Sequence, residues 1–324
     1  MNTLKIFSDL PWGGSARAML ADGVAPHELL WPARPAVSVL AASGPDPAFA
    51  GADIAFGQPG ADVVLQSRRL RWLHLASAGF TRFDTPEFRA AAARRRLLVT
   101  NSSAVYAGPC AEQVFAFMLA QARQLPLTLA SRCANGSDQW NQLRNQCASL
   151  SHQNVLLLGF GAIARRLVEL LRPFEPDIAA FRREARGDEG VPVVTPGQLP
   201  AALASADQVV NLLPDNADSR YFFSAERLAI LKPGAVFYNI GRGTTVDQAA
   251  LLAALESGRL AAAWLDVTDP EPLPPDHPLV SAPNCHLTPH IAGGHRNEAE
   301  SLVRHFLANF RRFLADAPLR DRIM

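Results

Sequence analysis

Lysine is nearly missing from this 324-residue chain: Lys5 and Lys232 are the only two, and arginine carries the rest of the positive charge. An arginine standing alone is therefore weak evidence for a site here. Cysteine is sparse as well. Cys110, Cys133, Cys147 and Cys285 are scattered, with no Cys-x-x-Cys pair and no metal-ligand spacing. That argues against a disulfide framework and offers no metal site. Long apolar runs are lacking; the stretch 114–120 is far too short to cross a bilayer. No basic head leads into an apolar run at the start of the sequence, so the expectation is a cytoplasmic protein. Excess charge of one sign is also absent. A formal net charge of +1 leaves no whole-molecule field for nucleic acid or an anionic membrane.

What is present is ample hydrophobic material, 48% of residues, in a chain long enough for two domains. Short apolar runs at 4–7, 37–40, 53–56, 72–76 and 97–100 alternate with helical stretches. Most are bounded by Gly, Pro, Asp or Ser, as buried parallel strands are. A helical run at 107–124 follows. A second alternation opens at Asn154, with strands expected at 155–158, 178–181, 208–212, 235–240, 263–267 and 285–288. Thr195-Pro196 reads as an N-cap with proline at the first helical position, and Asp247 opens a helix that meets Gly258 near its end. An amphipathic helix at 298–314 closes the chain. The expected fold class is α/β, with two doubly wound parallel-sheet domains. A Rossmann nucleotide-binding domain would take 102–294. A smaller flavodoxin-like substrate domain would be discontinuous, 1–101 plus 295–324.

Three signals carry chemistry. The first is Gly159-Phe-Gly161-Ala-Ile-Ala164, a G-x-G-x-x-A turn between a strand and a helix. Gly159 permits the tight turn, Gly161 lets backbone approach a pyrophosphate, and Ala164 keeps helix and strand close. Gly159, Phe160, Gly161, Ala162 and Ile163 are thus candidate cofactor contacts at a helix N-terminus. The second is the end of the next strand, where NAD-binding domains place an acid for the ribose 2′-OH. Here Arg182 and Arg183 stand there. A guanidinium can grip a 2′-phosphate that a carboxylate would repel, so NADP is expected. The bland alternative is an arginine-rich solvated turn. The third is a set of polar residues at the carboxyl ends of three expected strands: Arg242, Glu271 and His290. An Arg can bind a carboxylate and polarise a carbonyl, a His can pass a proton, and a Glu can hold the imidazole. Singly, each also reads as an ordinary loop residue.

The segment from Asn211 to His290, with LKPGAVFYNIGRGTTVDQAALLAALESGRL, LDVTDPEPLPPDHPL and LTPHIAGGH in that order, resembles the D-isomer-specific 2-hydroxyacid dehydrogenases, and most of all their glyoxylate/hydroxypyruvate reductase branch. The turn 159–164 and the run CAEQVFAFMLAQAR share in the resemblance. It implies an oxidoreductase that moves a hydride between NADP(H) and a small 2-oxo or 2-hydroxy acid. Arg242, Glu271 and His290 correspond to the family's catalytic Arg, Glu and His, with Arg242 and His290 also touching substrate. Asp266 matches the residue that faces the nicotinamide amide, and Leu213, Pro214, Ile240 and Gly293 join the cofactor contacts. The turn Ser77-Ala78-Gly79-Phe80 looks like the one whose N–H groups bind the substrate carboxylate, which makes Ala78 and Gly79 substrate contacts. A homodimer built around 107–124 is also implied.

The departures are Arg182 in place of the ribose acid, His152-Gln153-Asn154 before the nucleotide strand, and Asp215-Asn216-Ala217-Asp218 after a later one. His286 and His295 are additional histidines and read as structural. Two other readings share the scaffold: a dinucleotide-sensing binding protein or co-repressor, and a relative acting on formate or phosphite with NAD. The complete Arg–Glu–His set argues against the sensor. Arg182 and the ordinary DVTDPEP context argue against the second.

Overall fold

The computed structural model describes residues 3–39, 41–282 and 284–324. The chain divides into two units, Met1–Tyr106 with Gly294–Met324, and Ala107–Gly293. The first division falls inside the helix Ser103–Ala122, past residue 101.

In the first unit, β1 (Lys5–Ser8), β2 (Glu28–Leu30), β3 (Ile54–Gly57), β4 (Trp72–Leu75) and β5 (Leu98–Thr100) form one sheet in the order β2-β1-β3-β4-β5. Every pair is parallel. This is the flavodoxin-like order. The expected strand at 37–40 is not formed over its described residues. Residues 37–39 are bends, and residue 40 lies outside the described residues. Pro32 and Pro35 lie just upstream of this stretch, where proline neither donates to a ladder nor leaves its predecessor free. Val37 is 89% exposed, so no sheet covers it. The edge position goes instead to the three-residue β2, whose Leu29 and Leu30 register against Ile6 and Phe7.

The closing helix, Glu298–Leu314, belongs to this unit. Its buried residues Leu302, Val303, Phe306, Leu307 and Phe310 recur at three- and four-residue steps and make one apolar face. Phe306 stacks on Phe56 at 4.4 Å and on Trp72 at 5.2 Å. Gly23 lets the helix Gly14–Val24 approach this one closely, since a Cβ there would lie 2.4 Å from Leu307. Beyond the helix, the Ile323 N–H donates to the Val99 carbonyl (2.9 Å) and so covers the free edge of β5.

The second unit holds β6 (Asn154–Leu158), β7 (Asp177–Phe181), β8 (Val193–Val194), β9 (Gln208–Asn211), β10 (Ala235–Asn239), β11 (Leu260–Leu265) and β12 (Cys285–Leu287). Their order, β12-β11-β10-β9-β6-β7-β8, is the Rossmann order extended by one strand. β9 and β10 are buried at every residue, as central parallel strands must be. Winding reverses between β6 and β9, which opens a crevice beyond their carboxyl ends. β11 begins at Leu260, earlier than expected, and stops just before Asp266. Asp247 caps its helix by accepting from the Ala250 N–H, and Thr195 forms a capping box with Gln198. Among the described residues, no helix is long and apolar enough to cross a membrane.

Candidate active site

The glycine turn after β6 is built as the fingerprint requires. Gly159 has φ +97°, and a Cβ there would press to 3.2 Å from the Leu212 carbonyl. Ala164 is fully buried where the helix Ala162–Leu171 meets the sheet. Gly161 caps that helix without a side-chain hydrogen bond, and nothing stands within 4 Å of where its Cβ would be. The first N–H groups are therefore left to an anion. Gly159, Phe160 and Gly161 line a cavity of about 590 Å³ with Leu213, Pro214, Arg182, Arg183 and Arg186. These residues fit a dinucleotide with an anionic group near the arginines.

Both expected arginines already have carboxylate partners. Arg183 Nη1 pairs with Asp218 at 2.6 Å, both side chains being largely exposed. Arg182 is mostly buried, and its Nη1 donates to Glu189 Oε1 at 2.8 Å. Glu189 also accepts from the N–H groups of Arg186 and Gly187, both at 2.9 Å. The Arg186 N–H, more than any other group, holds the Glu189 carboxyl below the usual range, with Arg182 and Gly187 adding to it. Glu189 thus shapes the loop after β7 and holds one corner of the Arg182 guanidinium. Nothing in the sequence pattern singles it out. Asp215 and Asp218, at the departure after β9, are engaged by Thr244 (2.8 Å) and Arg183.

Arg242 follows β10 in a turn that two glycines make possible. A Cβ on Gly241 would lie 2.7 Å from the Leu213 carbonyl oxygen, and one on Gly243 would lie 2.0 Å from the Thr268 carbonyl. The turn is thus wedged between the loops after β9 and β11. Beneath it lies a buried polar network. Asn211 and Asn239 face each other in register, and Asn211 Nδ2 donates to Asn239 Oδ1 (3.0 Å) and Thr245 Oγ1 (2.6 Å). Asn239 Nδ2 and Thr245 Oγ1 both donate to the Arg242 carbonyl, at 3.1 and 2.6 Å. Ile240, a candidate cofactor contact, is buried beside this network and donates its N–H to the Asn211 carbonyl.

His290 is held by Asp266. The buried Asp266 carboxylate accepts from Thr288 Oγ1 (2.6 Å), the Ile291 N–H (3.0 Å) and the Ala292 N–H (2.9 Å). Its carbonyl takes the His290 N–H at 2.9 Å. His290 itself has φ +53°, a left-handed backbone that costs a non-glycine residue about 1 kcal/mol and is sustained by these bonds. Its Nδ1 is hydrogen-bonded to Glu271 Oε1. Burial works against ionising Glu271. The His290 bond and charge, with the Thr268 N–H and Arg242 adding, outweigh it and hold the carboxyl below the ordinary glutamate value. The structure therefore brings Glu271 and His290 into contact, with Arg242 close enough for its charge to act on Glu271. Gly293 ends the unit in the turn after Ala292.

Cys110 is no nucleophile: burial, with Asp266 adding and Arg242 opposing, pushes its thiol up to about 12. His286 is partly buried and lies tilted against Trp264, ring centres 4.1 Å apart; burial lowers its pKa. His295 lies in the first unit, 3.4 Å from Ser301 Oγ. Ala78 and Gly79 also lie in the first unit, after β4. There the Ala78 carbonyl accepts from Asn101 Nδ2 and the Gly79 carbonyl from Ser77 Oγ, both at 2.7 Å.

Comparison with known proteins places the chain among relatives. The NAD binding domain of D-isomer specific 2-hydroxyacid dehydrogenases matches residues 115–292. Glyoxylate/hydroxypyruvate reductase B of Citrobacter koseri is 32% identical over 228 residues, 69% of this chain and 68% of that one. A Corynebacterium melassecola protein, described as an uncharacterized protein in the proB 3′ region, is 36% identical over 194 residues. That stretch is 59% of this chain and 63% of the relative, less than two thirds of its length. Among solved structures, a D-isomer specific 2-hydroxyacid dehydrogenase of Xanthobacter autotrophicus in complex with NADPH and MES superposes with a TM-score of 0.78. It is 25% identical, with 100% of this chain and 98% of that one covered.

Proposed function

Since this chain belongs to the D-isomer specific 2-hydroxyacid dehydrogenase family, we propose that it reduces a small 2-oxo acid of the glyoxylate or hydroxypyruvate kind, with NADPH preferred over NADH. The observation that carries the chemistry is the Glu271–His290 hydrogen bond beside Arg242. A nicotinamide cofactor, when bound, supplies the hydride. Arg242 binds the substrate carboxylate and polarises the carbonyl whose oxygen gathers negative charge. Glu271 engages His290 Nδ1, so Nε2 is the nitrogen that delivers the proton to that oxygen. Asp266 keeps the loop carrying His290 in place. A sensor protein would have no use for this acid–base pair.

The NADPH preference is supported by Arg182, Arg183 and Arg186 lining the same cavity as the glycine turn. Glu189 uses Nη1 of Arg182, and the remaining donors of the guanidinium stay available to a 2′-phosphate. The homodimer implied around 107–124 is supported only by the neighbouring helix Leu125–Ala130, just past that run, where Leu125, Leu127 and Leu129 are 41%, 47% and 78% exposed. The test is consumption of NADPH, and separately of NADH, with glyoxylate, hydroxypyruvate, pyruvate and longer 2-oxo acids. Turnover confined to short 2-oxo acids and faster with NADPH supports the proposal. Tight NADPH binding without turnover of any of them would overturn it in favour of a sensor.

A further inference from the structure

The segments leading into β4 and β5 carry two runs of arginine, Arg68-Arg69-Leu70-Arg71 and Arg94-Arg95-Arg96. The strands are parallel neighbours with Trp72 in register with Leu98, so both runs arrive at the amino-terminal edge of the sheet. Residues 77–80 lie at the opposite edge, after β4. Arg68, Arg69, Arg71, Arg95 and Arg96 line a cavity of about 440 Å³ there, and Asp316 is its one acidic residue. The general abundance of arginine does not account for this. The chain has 29 arginines in 324 residues, which would place about one among the eleven residues around the cavity, not five.

Several of these side chains are fixed. Arg69 makes a two-pronged pair with Asp53, Nε to Oδ1 at 2.9 Å and Nη2 to Oδ2 at 3.2 Å. The Arg71 guanidinium lies 5.1 Å from the centre of the Phe313 ring. Arg95 Nη1 donates to the carbonyls of Val64 (2.9 Å) and Leu65 (3.3 Å), at the end of the helix Ala61–Gln66. Its Nη2 is buried with no hydrogen-bond partner among the described residues. Arg68 and Arg96 are exposed at the rim. After Asp53 and Asp316 are set against the five guanidiniums, three positive charges remain. Several like charges in one concavity are relieved by a bound anion.

We propose that this cavity binds a compact oligophosphate: pyrophosphate, or the phosphate chain of a nucleoside di- or triphosphate. Three uncompensated guanidiniums match a trivalent anion better than a single phosphate or carboxylate, and their planar forks suit phosphate oxygens. The exposed Arg68 and Arg96 close on the phosphate oxygens. The groups converge on a hollow and do not run in a stripe, which selects a small ligand over a nucleic-acid backbone. This site does not rest on the reading of the catalytic residues.

Calorimetric titration of the protein saturated with NADPH, so that the glycine turn is filled, tests this at fixed ionic strength. The probes are orthophosphate, pyrophosphate, magnesium-free ATP and a short single-stranded oligonucleotide. The expected result is one saturable site for pyrophosphate, at least about tenfold tighter than for orthophosphate. Arg68→Ala/Arg96→Ala should weaken it by about tenfold or more while leaving turnover and thermal midpoint unchanged. ATP binding more tightly than pyrophosphate would identify a nucleotide as the source of the phosphate chain, and weaker binding would identify free pyrophosphate. No saturable binding, equal affinity in the double variant, or tighter binding of the oligonucleotide than of pyrophosphate would each overturn the proposal.

Discussion

Glu271 and His290 meet through Nδ1 of the imidazole, although they stand on separate loops, after β11 and after β12. The same loops are tied together through Asp266, which accepts from Thr288, Ile291 and Ala292. The pair therefore rests on a braced frame, and its pH behaviour has a definite sign. The folded-state pKa of Glu271 is depressed below the ordinary value of 4.5. The stabilisation it contributes is complete above 4.5 and is lost as pH falls through the lower folded value. Glu271→Gln should therefore lose stability less steeply than the wild type as pH falls through the acid range, and should turn over more slowly with NADPH affinity kept. Acid unfolding that follows the wild-type profile would show that Glu271 is not held as an anion by its neighbours.

Cofactor preference should depend on Arg182. The wild-type protein should favour NADPH by about tenfold or more in kcat/KM, equivalent to about 1.4 kcal/mol. Arg182→Asp should erase or reverse that ratio, because the carboxylate repels a 2′-phosphate and can accept from a ribose hydroxyl. Steady-state kinetics with both cofactors decides. Equal wild-type rates would contradict the assignment.

Gly243→Ala should damage stability and activity together. Its Cβ would fall 2.0 Å from the Thr268 carbonyl, so the turn carrying Arg242 and the loop leading to Glu271 must separate. Overpacking of this kind typically costs about 1–3 kcal/mol. Thermal unfolding should show a lowered midpoint, and residual enzyme should show reduced kcat. A variant with wild-type midpoint and kcat would mean that the turn is not constrained as described.

These features differ in how far the sequence reveals them. The glycine turn is readable because each of its residues answers a local steric demand at fixed spacing. Arg242, Glu271 and His290 are readable as polar residues after strands, but their contact is not, since it depends on how far each loop reaches. Asn211 and Asn239 form a pair only because β9 and β10 align them, a register that no local pattern encodes. Glu189 is one acid in a charged loop until folding turns it onto Arg182. The apolar run at 37–40 misleads because hydrophobicity without a neighbouring strand does not make a sheet, while the shorter Glu28–Leu30 has β1 beside it.

The exposed leucines of the helix Leu125–Ala130 should mark the dimer contact. Leu127→Arg/Leu129→Arg should shift the sedimentation coefficient from dimer to monomer without lowering the thermal midpoint of dilute protein. A wild-type protein that sediments as a monomer at micromolar concentration would contradict this.

The most direct test of the catalytic account is His290→Ala, with turnover and NADPH binding measured on the same preparation. Removing the proton donor should lower kcat by about 10²–10⁴-fold in both directions. NADPH affinity should remain close to wild type, because the glycine turn and the arginines after β7 are untouched. Near-normal turnover with an unchanged pH profile would show that another group is the acid.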